Sequence, residues 1–340
     1  MSPNIDQTDY DHYRATPESP TAFLPADVGW HNWAGFFTDT AVWQPVVRRI
    51  CQETAVSPAR HIAAGYPGSC AVFVVDEAVV VKLYPPMFHA DFARETAVYE
   101  AINGRVSPIP RLLAAGTYPD RLAWPYLLLE YCPGQPIREV RHLLSAADKQ
   151  AIGAALGQMI RQVHDTAVPP AMAASWSDWA AFLQANRART LAFWREKRPF
   201  APAVGEEIAE FLVGMEAVWL AERPLHLLNA DLTQDHLLLQ STESGWRMAA
   251  LIDWADAEAG VPAYDWIPLW YDLCRQEKEL FQAILTAYQP GVRLDEAFWQ
   301  GLLAYTFLHR FGSEIIAFVL AQRGNPPIAT LSDLQTVLLP

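Results

Sequence analysis

The chain has 340 residues, 51% hydrophobic and 19% charged, with a formal net charge of −13. That length allows one large or two moderate domains, and the apolar content is ample for a sizeable core. The acidic balance argues against a nucleic-acid partner, whose phosphates need a basic face, and no run of about 18 or more uncharged apolar residues offers a membrane span.

The N-terminal stretch MSPNIDQTDYDHYRATPESP is acidic and polar, with neither the basic start nor the apolar run of a secretory signal. A cytoplasmic protein is therefore expected, with residues 1–30 as a loosely held extension. Cys51, Cys70, Cys132 and Cys274 have no CxxC spacing, so reduced thiols are expected in place of a zinc site or disulfide framework.

Asp39 and Thr40 are placed to cap a helix over AVWQPVVRRICQET, where Ala41, Val42, Val46, Val47 and Ile50 fall on one face. In HIAAGYPGSCAVFVVDEAVVVKLY, two β-branched runs flank Asp76-Glu77 and predict a hairpin, although that dipeptide suits a type I′ turn poorly. DFARETAVYEAI has helical spacing with Asp91 at the expected N-cap, and YLLLEY (126–131) reads as a buried strand ended by Cys132-Pro133-Gly134-Gln135. Beyond it the pattern is mainly helical. Ser145 with Asp148 forms a capping-box pattern for AADKQAIGAALGQMIRQVHD, and further helices are expected at about 177–196, 203–221, 275–288 and 295–320. A strand-rich front followed by a helix-rich remainder predicts an α+β protein of two lobes. Their expected bounds are 1–128, with a hinge at 129–135, and 136–340.

The chemistry concentrates in LLNADLTQDHLLLQSTESGWRMAALIDWADAEAG (227–260). Leu237–Gln240 and Trp246–Ile252 read as an antiparallel hairpin, placing Gln240 near Trp246 and His236 near Ala250. That pairing gathers Asp231, His236 and Asp253 at one end. Phosphoryl transfer needs such a set: one carboxylate to orient and deprotonate the attacking hydroxyl, another with a further ligand to hold Mg²⁺ against phosphates. A hairpin with solvated acids at its mouth is the plain alternative. Upstream, Lys82 ends an apolar strand, Glu95 sits in the next helix, and Gly65-Tyr66-Pro67-Gly68-Ser69 precedes the strand. A strand lysine braced by a helix glutamate holds donor phosphates in kinase-type sites, and small residues admit backbone N–H groups to phosphate; taken singly, a solvent-facing lysine and a plain turn that is not GxGxxG are the alternatives.

In this order of elements the sequence resembles the aminoglycoside phosphotransferase family of the protein-kinase-like fold, over roughly Ala41 to Leu320. LIDWADAEAGVPAYDW (251–266) is the most specific match. YLLLEYCPGQPI resembles the lobe connection, LGQMIRQVHD a helix ending in a histidine, and NADLTQDHLLL the catalytic loop. LLAYTFLHRFG (302–312) is similar to the hygromycin-type members. The resemblance implies a small antiparallel-sheet N-lobe and a mainly helical C-lobe. It implies ATP or GTP as donor and Mg²⁺, or Mn²⁺, as cofactor. Asp231 would be the catalytic base, with Asp253 and His236 on the metal. Lys82, Glu95, Gly68, Ser69, Glu130 and Cys132 would serve the nucleotide, and Asp265 would anchor the loop below the site.

Two positions depart from the family pattern: Asn229 stands where a histidine is usual, and His236 where an asparagine is usual. Asp235, Asp256 and Glu258 are candidates to receive a cationic substrate or simply to face water. His164 is expected to be structural, bonded to nearby backbone. The implied function is phosphorylation of an aminoglycoside-like antibiotic, hence resistance, by a monomer or dimer. The alternatives are a kinase for an endogenous amino alcohol or sugar, or a silent nucleotide-binding protein.

Overall fold

The computed structural model describes residues 39–340 apart from 67, 176, 177, 198, 199 and 222, together with 24, 28, 29, 32 and 33. Of the expected extension over 1–30, all but Leu24, Val28 and Gly29 lies outside the described residues. The chain divides into two compact units, Met1–Gly104 with Ile109–Pro133, and Arg105–Pro108 with Gly134–Pro340.

The first unit begins with α1 (Thr40–Thr54), whose N-cap Asp39 accepts the Ala41 N–H at 3.0 Å. Its buried face carries Trp43, Val46, Val47, Ile50 and Cys51; Val46, Val47 and Ile50 fall there as the spacing predicts, whereas Ala41 is exposed and Val42 only partly buried. Trp43 meets Trp124 edge-on at 5.2 Å and Phe73 at 6.2 Å, so aromatic packing ties α1 to the sheet. That sheet comprises β1 (Ile62–Ala64), β2 (Ala71–Val75), β3 (Val79–Leu83), β4 (Leu112–Pro119) and β5 (Ala123–Glu130), in the order β1-β2-β3-β5-β4. All its pairings are antiparallel.

The β2–β3 turn takes Asp76 and Glu77 into the left-handed region at φ +52° and +51°, as a type I′ turn requires. Asp-Glu suits this turn because the Asp76 carboxylate is employed outside it. It accepts the Ser57 hydroxyl at 2.5 Å and the His61 and Arg60 amides at 2.7 and 3.3 Å. After β3, helix α2 (His89–Ile102) starts two residues before the expected N-cap, because a 3₁₀ turn at Pro86–Phe88 runs straight into it. Asp91 therefore lies inside the first turn and pairs with Arg94 at 3.1 Å instead of capping.

The second unit opens with β6 (Gln135–Pro136), α3 (Ile137–Val140) and α4 (Ala146–His164). The Ser145–Asp148 capping box is present, and Asp148 also accepts the Trp246 N–H at 2.8 Å. Helices α5 (Pro170–Ser175), α6 (Trp179–Lys197), α7 (Pro202–Gly214) and α8 (Glu216–Trp219) follow. Next come β7 (His226–Leu228), β8 (Leu237–Thr242), β9 (Gly245–Leu251) and β10 (Glu258–Gly260). The chain ends in α9 (Trp266–Pro268), a wide helical turn at Leu269–Leu273, α10 (Lys278–Tyr288), α11 (Glu296–Leu308), α12 (Gly312–Gln322) and α13 (Leu331–Leu338). Helices α4 and α10 pack backbone to backbone: a Cβ on Gly157 would lie 2.1 Å from the Ile284 carbonyl oxygen.

Three expectations are corrected here. The β8–β9 register sets Gln240 against Arg247 and His236 against Ile252, because a bulge between Leu238 and Leu239 shifts the ladder. The long helix expected at 295–320 is two helices, α11 and α12, meeting at 112° across His309–Phe311. No single described helix is long and apolar enough to cross a membrane. The third is the short antiparallel pair β7–β10, which carried no strand pattern in the sequence.

Candidate active site

In the first unit, Lys82 of β3 points to α2 and meets Glu95 at 2.8 Å. The lysine is 7% exposed and the glutamate 0%. Tyr84, two residues on and so on the same side of the chain, donates its hydroxyl to the same Glu95 oxygen, and its ring lies 5.5 Å from the ammonium. An ion pair this buried is held by its second hydrogen bond, and truncating one partner would strand the other charge. Tyr84 escaped the sequence reading, although its position two residues past Lys82 was the signal.

Gly68 and Ser69 lie in the β1–β2 loop. A Cβ on Gly68 would meet nothing within 4 Å, and the Ser69 carbonyl accepts the Trp33 indole N–H at 2.7 Å. Gly65 is the tightly packed glycine, since its Cβ would fall 2.6 Å from Val72 Cγ1. Glu130 ends β5 in an exposed pair with Arg111 at 3.0 Å, which holds its carboxyl below the usual range. The Glu130 and Tyr131 amides donate to the Arg111 and Ala78 carbonyls, at 2.9 and 3.0 Å. Cys132 is partly exposed, and burial pushes its thiol up to about 11. The other three cysteines are buried.

In the second unit, the Asn229–Asp231 loop leaves β7 and is braced from beneath. Asp265, almost wholly buried, accepts the Ala230 amide at 2.7 Å and the Asn229 amide at 3.3 Å. His164 bonds the same carboxylate at 2.9 Å and the Tyr288 hydroxyl at 3.0 Å, so its structural partners are side chains and not the expected backbone. Asn229 cross-links the two acidic loops: its Nδ2 donates to the Asp253 carbonyl at 2.9 Å, and its Oδ1 accepts the Asp231 amide at 3.1 Å. Ala230 and Asp253 both take left-handed backbone, at φ +61° and +64°. Such strain persists only where surroundings impose it, here the Asp265 and Asn229 bonds.

The three residues expected at the hairpin mouth do meet. His236 Nδ1 bonds the Asp231 carbonyl oxygen at 3.0 Å and lies 3.5 Å from the Asp231 carboxylate, and its Nε2 lies 3.8 Å from Asp253 Oδ2. Burial pushes the Asp231 carboxyl up to about 7, with Asp256 and Asp253 acting the same way and His236 and Arg310 opposing. A carboxylate tuned near neutrality can both orient a hydroxyl and take its proton.

Among the described residues, no group of three or more His, Cys, Asp or Glu side chains forms a metal cage. A Mg²⁺ ion would need one or two carboxylates together with substrate phosphates. Asp253 supplies such an oxygen, whereas the imidazole nitrogen of His236 is the softer donor.

The remaining acids are paired within the chain. Asp235 meets Arg138 at 3.1 Å, and Asp256 and Glu258 meet Arg310 at 3.3 and 3.0 Å. Glu258 is fully buried in β10, so it does not face water or a diffusing substrate as expected. Arg310 was missed because LLAYTFLHRFG reads as continuous helix. The polar His309-Arg310 pair before Gly312 was the available sign of the break. There His309 is fully buried against the Ala230 backbone, and burial with Arg310 beside it holds its pKa well below the usual value. It stacks on Tyr264 at 4.2 Å, and the Tyr264 hydroxyl accepts the Arg310 amide.

A sheet-bearing unit with a braced lysine, and a helical unit with an aspartate loop facing a second acidic loop, define a kinase-like phosphotransferase. Solved structures agree on the fold. The streptomycin–ATP complex of APH(2")-IIa superposes with a TM-score of 0.59, at 15% identity over 87% of this chain and 98% of that one. The GDP complex of aminoglycoside 2'-phosphotransferase-IIIa gives 0.61, at 15% identity over 86% and 96%. A thermostable APH(4)-Ia with ADP and hygromycin B gives 0.57, at 14% identity over 86% and 95%, so the hygromycin type is not singled out. The model of the APH phosphotransferase enzyme family matches residues 59–302, and the chain belongs to that family. One curated relative, the lysine-specific demethylase JMJ21 of Arabidopsis thaliana, is 22% identical over 201 residues. The match takes in 48% of this chain and spans only 21% of that relative's length.

Proposed function

We propose that the protein transfers the γ-phosphoryl group of ATP or GTP to a hydroxyl of a small-molecule acceptor. The observation that carries this reading is the meeting of Asp231, His236 and Asp253 at one hairpin end, with Asn229 bonded to both acidic loops. Asp231 orients the acceptor hydroxyl and takes its proton. Asp253 is the oxygen ligand for a divalent cation, Mg²⁺ or Mn²⁺, whose bound charge offsets that of the phosphates. His236 stands beside it, with Nδ1 tied to the Asp231 carbonyl and Nε2 toward Asp253. Lys82, held by Glu95 and Tyr84, serves the donor phosphates. The Glu130 and Tyr131 amides are engaged in the sheet, and other backbone groups of Glu130 to Cys132 meet the purine edge. Gly68 and Ser69 sit in a loop open enough for phosphate to approach. Positioning and fixed charge supply the rate, without a covalent intermediate.

The fold neighbours were solved with kanamycin, streptomycin or hygromycin B, so such antibiotics belong in an acceptor panel with uncharged sugars and amino alcohols. The test measures phosphoryl transfer from ATP and GTP over that panel, comparing wild type with Asp231→Asn. Loss of a general base lowers kcat by about 10²–10⁴-fold, while nucleotide affinity stays within about threefold. Equal turnover in the two proteins would remove Asp231 from the role. Nucleotide binding without transfer to any acceptor would point to a silent binding protein.

A further inference from the structure

Resting on the phosphotransfer reading, we infer that the acceptor is a hydroxylated molecule carrying at most one positive charge, and not a polycation. Apart from Asp253, which the phosphotransfer reading gives to the cation, the described carboxylates near the base are engaged within the chain. The β7–β10 ladder sets Glu258 against Leu228, at the start of the loop that carries Asp231, and Asp256 and Arg310 both act electrostatically on Asp231. The Arg310 guanidinium meets Asp256 at 3.3 Å and the fully buried Glu258 at 3.0 Å, and donates to the Asp256 carbonyl. On the other side of the loop, Asp235 meets Arg138 at 3.1 Å. Asp272 accepts the Gln234 amide at 2.8 Å, and Glu277 is shared between Lys149 and Arg141.

The break between α11 and α12 is what delivers Arg310 here. His309 is packed under Ala230, and Arg310 is anchored through its amide to Tyr264. Asp256 is the more exposed partner of the pair, and an ammonium group entering beside it would find the carboxylate already held by the more buried Arg310 guanidinium. To gain a carboxylate it must displace an internal partner already at contact distance, and that exchange leaves the guanidinium unpaired. A site made for several ammonium groups needs carboxylates without internal cations, and among the described residues Asp235, Asp256 and Glu258 are already paired by the chain itself. What remains accessible is hydrogen-bonding chemistry suited to hydroxyls.

The test is calorimetric titration of the full chain with kanamycin, a hydroxylated polyamine, and with spermine, a polyamine that lacks hydroxyls. It uses wild type, Arg310→Gln and Arg138→Gln, at two salt concentrations. Weak wild-type binding of both, with Kd no tighter than about 1 mM, and at least about tenfold tighter kanamycin binding in Arg310→Gln would support the inference. Arg138→Gln frees the partly exposed Asp235 and gives the same reading should Arg310→Gln fail to fold. Micromolar wild-type binding of kanamycin that weakens with salt and in Asp256→Asn would overturn it. So would folded arginine variants that bind no tighter than wild type. These titrations need no turnover, so a failure of the phosphotransfer reading appears separately, as absent transfer to every acceptor.

Discussion

Asn229 shows how a single amide holds two reactive loops in register. Its carbonyl oxygen takes the Asp231 amide while its nitrogen reaches the Asp253 carbonyl, a donor-plus-acceptor task that a neutral imidazole also performs. The departure from histidine therefore keeps the bracing function. Asn229→Ala strands two partly buried backbone groups, each costing about 1–3 kcal/mol. The expected result is a lower thermal midpoint and a kcat reduced more than the nucleotide Kd, read by scanning calorimetry and steady-state kinetics. An unchanged kcat would show that Asp265 alone fixes the loop. Asp231, Lys82 and Asp253 were legible in the sequence as members of an ordered set that resembles a known family, since each alone reads as a solvated charge. Tyr84 and Arg310 were not, because their roles depend on contacts that strand and helix patterns do not encode.

Among the elements, α4 supports the β8–β9 hairpin and the Asp231 loop from its two ends. Its capping box begins beside β9 through Asp148, and its last residue, His164, holds the Asp265 carboxylate under the loop. Its middle lies so close to α10 that Gly157 has no room for a methyl group against the Ile284 carbonyl. Gly157→Ala is expected to destabilise by about 1–3 kcal/mol through overpacking, although alanine favours a helix. A urea midpoint at or above wild type would contradict the close approach. The capping box was legible because Ser145 and Asp148 are local in sequence. The β7–β10 pair was not, since a three-residue ladder with buried Glu258 has no alternation of its own and forms because the two loops are brought together. The hairpin register was misjudged for a related reason: the bulge at Leu238 and Leu239 is an irregularity that alternation does not show.

At the scale of the whole chain, the sequence disclosed the α+β composition and the passage from strands to helices near residue 130. It hid the break in the long C-terminal apolar segment, because apolar residues run on from the buried end of α11 into α12, where even exposed positions such as Phe318 are apolar. Nucleotide should act on the whole chain's stability by mass action. At 100-fold over its Kd, a non-hydrolysable ATP analogue with Mg²⁺ adds about 2.7 kcal/mol, which raises the thermal midpoint by several degrees. Lys82→Met is expected to abolish most of that shift and to lower the unliganded midpoint, since Glu95 is left buried without its cation. A full shift in the variant would detach Lys82 from the donor.

The distribution of sulfur offers an experimental handle. Cys51, Cys70 and Cys274 are sealed in the interior, while Cys132 alone among the four is partly open to solvent. A maleimide dye or spin label applied to the native chain above neutral pH should attach at that one position without any engineered mutation, giving a ready-made spectroscopic reporter on the segment proposed to meet the purine.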